Sequence, residues 1–197
     1  SLHQETFQRM FDAPLALATP LLTLPAFNDS SGVTISTRAD IYEYAYARLH
    51  QPAYAELLRG SDRKGKLALW YGVDHLPTGD IPSLGTRNAA DAGYAILEKG
   101  TGRKATWLCL KYGPHGGMHG HPDKLTFVLY SKGKLIAADG GSRPYGSPLH
   151  AGWDLTTFGH NTLLVDEESQ AKATGSCIAF GSMEGVDYVV AEAGPIY

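Results

Sequence analysis

Residues 92–113, AGYAILEKGTGRKATWLCLKYG, mark the point where the hydrophobic pattern of the chain changes period. Two runs rich in aliphatic and aromatic side chains flank Lys99-Gly100-Thr101-Gly102, so the stretch reads as a β-hairpin. Downstream, LTFVLYSKGKLIAADGG (residues 125–141) reads as a second hairpin turning at Ser131-Lys132-Gly133-Lys134. HNTLLVD, SCIAFGS and DYVVAEA follow as further expected strands. Upstream the period is helical. Leu2, Phe7, Met10 and Phe11 fall near 3.6 spacing, and Asp12-Ala13-Pro14 is expected to stop that helix. Residues 20–36 hold two prolines and an Asn-Asp-Ser-Ser-Gly cluster, and read as a loop. Thr37 is an expected N-cap, with Asp40 reaching back, for a helix whose inner face is Ile41, Tyr44, Ala45 and Leu49. Pro52 suits the first turn of a short helix that Gly60 ends. The chain therefore divides near residue 90, with helices and a connector over 1–90 and an antiparallel sheet over 91–197, an α+β class.

Composition narrows the partners. A net charge of −3 over 197 residues gives no global reason to expect nucleic acid, and no apolar run is long enough for membrane insertion. Cys109 and Cys177 lack metal or redox spacing and read as small apolar residues, a disulfide being the minor reading. Both ends read as cut, so the chain is expected to be an internal piece of a longer protein.

The chemistry concentrates in GPHGGMHGHPD, residues 113–123. If that segment is extended, His119 and His121 project to one face. A hairpin turning near residue 132 brings the region of His121 back beside Asp139, and His160 opens the expected strand HNTLLVD. His121, Asp139 and His160 then form a two-imidazole, one-carboxylate set suited to a divalent metal, zinc above all. HGHPD resembles the start of the HxHxDH metal signature of the metallo-β-lactamase fold, but Lys124 stands where its next histidine belongs. A cupin needs a Glu soon after HxH, and none occurs before Glu167. The glycines permit left-handed backbone and close approach of a large ligand; a string of tight turns is their plainer reading.

These residues match a known pattern. HGHPDKL, a strand, a glycine turn, a strand ending in Asp139-Gly140-Gly141 with Tyr145 soon after, then HNTLLVD and Gln170, resemble the core signature of the heparinase II/III-like polysaccharide lyases. The likeness is nearest to the oligo-alginate and heparinoid lyase branch, polysaccharide lyase family 15, and is strong over residues 113–170. It implies the end of an α/α-toroid followed by the first part of an antiparallel β-sandwich, with the site in the cleft between them. The implied reaction is β-elimination at a uronic acid residue of an acidic polysaccharide or oligosaccharide. By the family pattern His119 acts at the active site, as carboxylate neutraliser or proton-transfer partner, and Tyr145 lines the substrate. The same pattern implies that His121, Asp139 and His160 hold a structural metal; His115 and Arg143 are expected as local donors to a substrate carboxylate, and Asn161 as a further substrate contact. A surface salt bridge is the equal alternative for Arg143. The resemblance also implies a periplasmic or secreted bacterial protein.

The principal base of the family sits further upstream than this chain reaches, so the chain alone is expected to have little or no activity without the remainder of the parent. Tyr42, Tyr44 and Tyr46 read as packing residues. Asn28 and Asp29 fit a cleft or a turn equally. Two other readings stand beside the lyase. One is a non-catalytic, metal-stabilised carbohydrate-binding β-domain stacking Trp107, Tyr112, Tyr145 and Trp153 on sugar. The other is a zinc hydrolase with Asp123 or Glu168 as base.

Overall fold

The computed structural model describes residues 2–197, with the side chain of Leu2 outside the described set. It separates into two compact units. One combines the chain up to Leu24 with Val33–Ser83, and the other combines Pro25–Gly32 with Leu84–Tyr197.

The first unit is helical: α1 (Leu2–Leu17), α2 (Asp40–Leu49), α3 (Pro52–Arg59) and α4 (Lys66–Tyr71). Its core gathers Ile35, Tyr42, Ala45, Tyr46, Tyr54, Leu57 and Leu58, against which Phe11 and Leu15 pack. Three details differ from the sequence expectation. Helix α1 runs through Pro14 to Leu17, and the Ala18 N–H returns to the Pro14 carbonyl at 3.1 Å. Thr37 lies in a 3₁₀ turn, Ile35–Arg38, and its hydroxyl donates to the Thr34 carbonyl instead of capping α2. The inner face of α2 is Tyr42, Ala45 and Tyr46, whereas Ile41 is 43% exposed. The rotation has a polar cause: a buried tyrosine needs a hydroxyl partner. Tyr42 donates to the Phe11 carbonyl at 2.9 Å, and Tyr54 beside it donates to Asp12 Oδ1 at 2.6 Å.

The second unit carries β1 (Arg87–Ala89), β2 (Tyr94–Lys99), β3 (Thr106–Lys111), β4 (Phe127–Ser131) and β5 (Lys134–Ala137). They pair in chain order as a five-stranded antiparallel sheet; β6 (Ser176–Met183) and β7 (Val186–Glu192) form a separate hairpin. Alternation decides the buried face, which takes Ile96, Trp107, Cys109, Val128 and Tyr130. The β4–β5 turn puts Lys132 at φ 50° and Gly133 at φ 80°, the left-handed pair that a two-residue hairpin loop requires. Strand β1 escapes the sequence reading because it is three residues long and has no alternating pattern. The expected strand at 160–166 is absent; the region shows a single bridge, Val165 to Glu168. Its backbone is spent elsewhere: the Asn161 N–H donates to Thr126 Oγ1 at 3.1 Å, and the Thr162 N–H to the His160 carbonyl. Both cysteines are free, Cys109 buried and Cys177 half-buried. Burial pushes the Cys109 thiol up to about 12.

Two glycines fix where the histidine loop begins. Gly93 and Gly113 meet backbone to backbone, and a Cβ on Gly93 would lie 2.0 Å from the Gly113 Cα. No larger residue fits at either position.

Candidate functional site

The site forms where three loops of the sheet unit converge: Pro25–Gly32, the histidine loop after β3, and the segment from Asp139 to His160. The first of these is seated by the sheet. Phe27 stacks on Tyr94 of β2 with ring centroids 5.7 Å apart, and Lys111 at the end of β3 donates to the Asn28 side-chain oxygen. The Ser142 N–H closes on the Ser30 carbonyl at 3.0 Å. With Asn28 in the left-handed region at φ 57°, the next residue, Asp29, faces the histidines.

Asp29 is the centre of the arrangement. Its Oδ2 lies 2.7 Å from His119 Nδ1 and accepts the Tyr145 hydroxyl at 3.0 Å, while its Oδ1 lies 3.1 Å from His121 Nε2. Partial burial pushes the Asp29 carboxyl up, but the hydrogen bonds from His121, His119 and Tyr145 outweigh it and bring it down to about 2. The same carboxylate, through its hydrogen bond, holds the Tyr145 phenol above its ordinary range, so the phenol stays protonated. Tyr145 and His119 also approach each other at 3.3 Å. Both are open to solvent, the His119 side chain at 69% and Tyr145 at 66% exposure. His119 and His121 do converge, although not from an extended strand. Residues Gly117–His119 form a 3₁₀ turn, and the two rings reach opposite oxygens of one carboxylate.

Behind this exposed pair lies a buried layer. His121 is fully buried, and its ring sits 5.3 Å from that of His160. His160 places Nδ1 2.9 Å from Asp139 Oδ2 and Nε2 3.0 Å from the Asp154 carbonyl. Burial lowers the His160 pKa, but the hydrogen bond to Asp139 outweighs it and the net shift is upward. Among the described residues, no group of three or more His, Cys, Asp or Glu stands arranged to hold a metal ion. The donor chemistry nonetheless suits a metal: His121 Nδ1 is buried without a hydrogen-bond partner, next to a second imidazole and the Asp139 carboxylate.

Arg143, Asn161 and His115, the expected substrate contacts, each have protein neighbours of their own. Arg143 pairs with Asp154 through its guanidinium and donates its backbone N–H to Asp154 Oδ2 at 2.8 Å, which ties it to the protein. Asn161 donates to the carbonyls of Phe127 at 2.9 Å and Ala138 at 3.0 Å, bracing β4 against the end of β5. His115 makes no described contact with Asp29 and lines a shallow depression with Lys172. The stacking platform of the carbohydrate-binding reading loses half its members, since Trp107 and Tyr112 are buried while Tyr145 and Trp153 are exposed. Asp123 cannot serve as a hydrolytic base, because both of its oxygens lie 2.6 Å from the Lys111 ammonium.

Residues 82–187, more than half of the chain, match the family described as heparinase II/III-like, C-terminal. The heparin-sulfate lyase of Pedobacter heparinus is 25% identical over 169 residues, covering 84% of this chain and 24% of that protein. The exo-oligoalginate lyase of Saccharophagus degradans is 34% identical over 97 residues, covering 44% of this chain and 13% of that protein. Among solved structures, a heparinase III matches with a TM-score of 0.77 at 21% identity, over 98% of this chain and 28% of that one. The heparan sulfate lyase HepC of Pedobacter heparinus gives 0.74 at 23% identity, over 98% and 29%. At those identities the structural likeness is one of fold, and the chain spans about a quarter of the first of these curated relatives and less of the second. The five-stranded sheet and the loops from His115 to His160 all fall inside the matched region, and the chain belongs to the heparinase II/III-like family of lyases.

Proposed function

We propose that this chain is part of a polysaccharide lyase that cleaves a uronic-acid-containing glycan, an alginate oligosaccharide or a heparinoid, by β-elimination. The observation that carries the reading is the exposed pair His119 and Tyr145 held on one Asp29 oxygen. In such a reaction the C5–H bond breaks, a C4=C5 double bond forms, and the C4–O4 bond breaks with O4 taking up a proton. The C5 proton becomes removable when the neighbouring carboxylate is neutralised, and a leaving oxygen departs more easily when protonated. An imidazole whose Nδ1 rests on a carboxylate is oriented to present Nε2 outward, where it can donate to a substrate carboxylate. Tyr145 keeps its proton beside Asp29 and is the exposed hydroxyl that could pass it to O4 once it turns from that carboxylate. The C5 proton passes to a general base other than these two groups.

We further propose that His121, Asp139 and His160 bind one divalent ion, zinc on the strength of the imidazole donors, with a structural role. When bound, the ion would supply the positive charge that holds the buried layer behind His119. The carbohydrate-binding alternative is disfavoured by the burial of Trp107 and Tyr112 and by the freedom of His119 from the buried donor set.

The test uses the full-length parent with alginate and heparinoid oligosaccharides, following the ultraviolet absorbance of an unsaturated uronate. A signal that His119→Ala abolishes is expected. Hydrolytic products with no such absorbance from any uronate polymer would overturn the reading. Metal analysis of His121→Ala is expected to show loss of bound metal together with a lowered melting temperature; unchanged metal content would remove the structural-ion proposal.

A further inference from the structure

Beside the Asp29 cluster, on the same histidine loop, a depression of about 550 Å³ is walled by His115, Gly117 and Met118 on one side and by Lys172 and Thr174 on the other. No acidic residue lines it. The His115 ring packs against Gly120, where an added Cβ would come within 2.8 Å of its Cδ2 and 1.9 Å of the His115 carbonyl oxygen. Its Nδ1 is buried with no hydrogen-bond partner, which leaves Nε2 as the ring nitrogen able to serve a ligand.

The surroundings are cationic. Desolvation lowers the His115 pKa first, followed by the charges of Lys124, Lys172 and Lys111; Asp123 is the opposing charge. Asp123 is neutralised locally by the Lys111 ammonium, and Lys124 is tied to the carbonyls of Gly113 and Pro114 at 2.9 and 3.1 Å. Lys172 is exposed and forms no ion pair among the described residues. Its ammonium is therefore the charge in this depression left for a ligand. Met118, 97% exposed, adds an apolar rim that a sugar ring can cover.

We propose that this depression is a subsite for an anionic substituent, sulfate or carboxylate, on a sugar neighbouring the one that is cleaved, with Lys172 supplying the charge and His115 a hydrogen bond. The assignment of a glycan as ligand rests on the lyase reading. His119 follows His115 by four positions, a reach of at most about 14 Å along the chain. One glycan can therefore touch both.

The experiment is calorimetric titration of the full-length protein with sulfated and unsulfated uronate oligosaccharides, comparing the native chain with Lys172→Gln and His115→Gln. Lys172 is exposed, so Lys172→Gln does not threaten folding. Lys172→Gln is expected to weaken binding about tenfold, as for the loss of one charge-assisted contact. His115→Gln is expected to weaken it less. A loss confined to sulfated ligands assigns sulfate, and a loss with both assigns carboxylate. Equal affinity of native chain and both variants for every ligand, or no binding by any of them, overturns the subsite. If the native protein makes no unsaturated product yet binds in a Lys172-dependent way, the lyase reading fails and the subsite stands.

Discussion

At the scale of single residues the arrangement turns on Asp29. One carboxylate orients two histidines and a tyrosine, so its removal disturbs the geometry of the site without removing any group assigned to the reaction. Asp29→Asn keeps one oxygen and loses the charge. In the full-length protein it is expected to lower kcat by about a hundredfold while KM changes only a few-fold. An unchanged melting curve beside that split separates orientation from simple unfolding. Equal losses of both, or none, would deny Asp29 the role. His119 and His121 were legible in the sequence because their motif is local. Asp29 was legible only in part: it stands 90 residues before His119, in a stretch that fits a turn as well as it fits a cleft. Its placement depends on Phe27 stacking on Tyr94 and on Lys111 holding Asn28, long-range contacts that leave no periodic trace.

At the scale of elements, the end of β3 supports the site from below. Lys111 is a buried cation paired with the fully buried Asp123, and it reaches Asn28 as well. Removing one partner leaves an uncompensated buried charge, and such changes cost about 3–5 kcal/mol. Lys111→Met should therefore destabilise the protein by that amount in chemical denaturation, and the double variant Lys111→Met with Asp123→Leu should recover much of it. No recovery would mean that the pair is held for its contact with the Asp29 loop and not for charge balance. The hairpins around residues 100 and 132 were readable because alternation and turn chemistry agree there. The failure at 160–166 has the opposite origin. An apolar, β-branched run looks like a strand, but His160, Asn161 and Thr162 each bond to side chains or carbonyls of other segments, and no ladder forms.

At the scale of the whole molecule, both units bury tyrosines in apolar surroundings. Desolvation pushes Tyr42 in the helical unit and Tyr94 in the sheet unit up to about 12 from 10.0. The folded state thus holds these protons more tightly than the unfolded chain. The stability this contributes is complete below pH 10 and is lost as pH rises from 10.0 to about 12. Tyrosinate absorbance from these rings is expected to appear together with loss of circular dichroism. Ionisation well before unfolding would show that the rings are not shielded. The change from helical to strand period was plain in the sequence, but the excursion of Pro25–Gly32 into the sheet unit was not, since a short loop carries no signal of which core it serves.

That excursion makes the site discontinuous in the gene. The chain passes between units at Leu24–Pro25, at Gly32–Val33 and at Ser83–Leu84. A segment cut at the last of these would keep the sheet, the histidine loop and Tyr145, and would lack Asp29. Truncation to the region that the family match covers therefore removes the carboxylate on which those groups converge, and the functional unit can be moved or recombined only together with the helices that precede it in the chain.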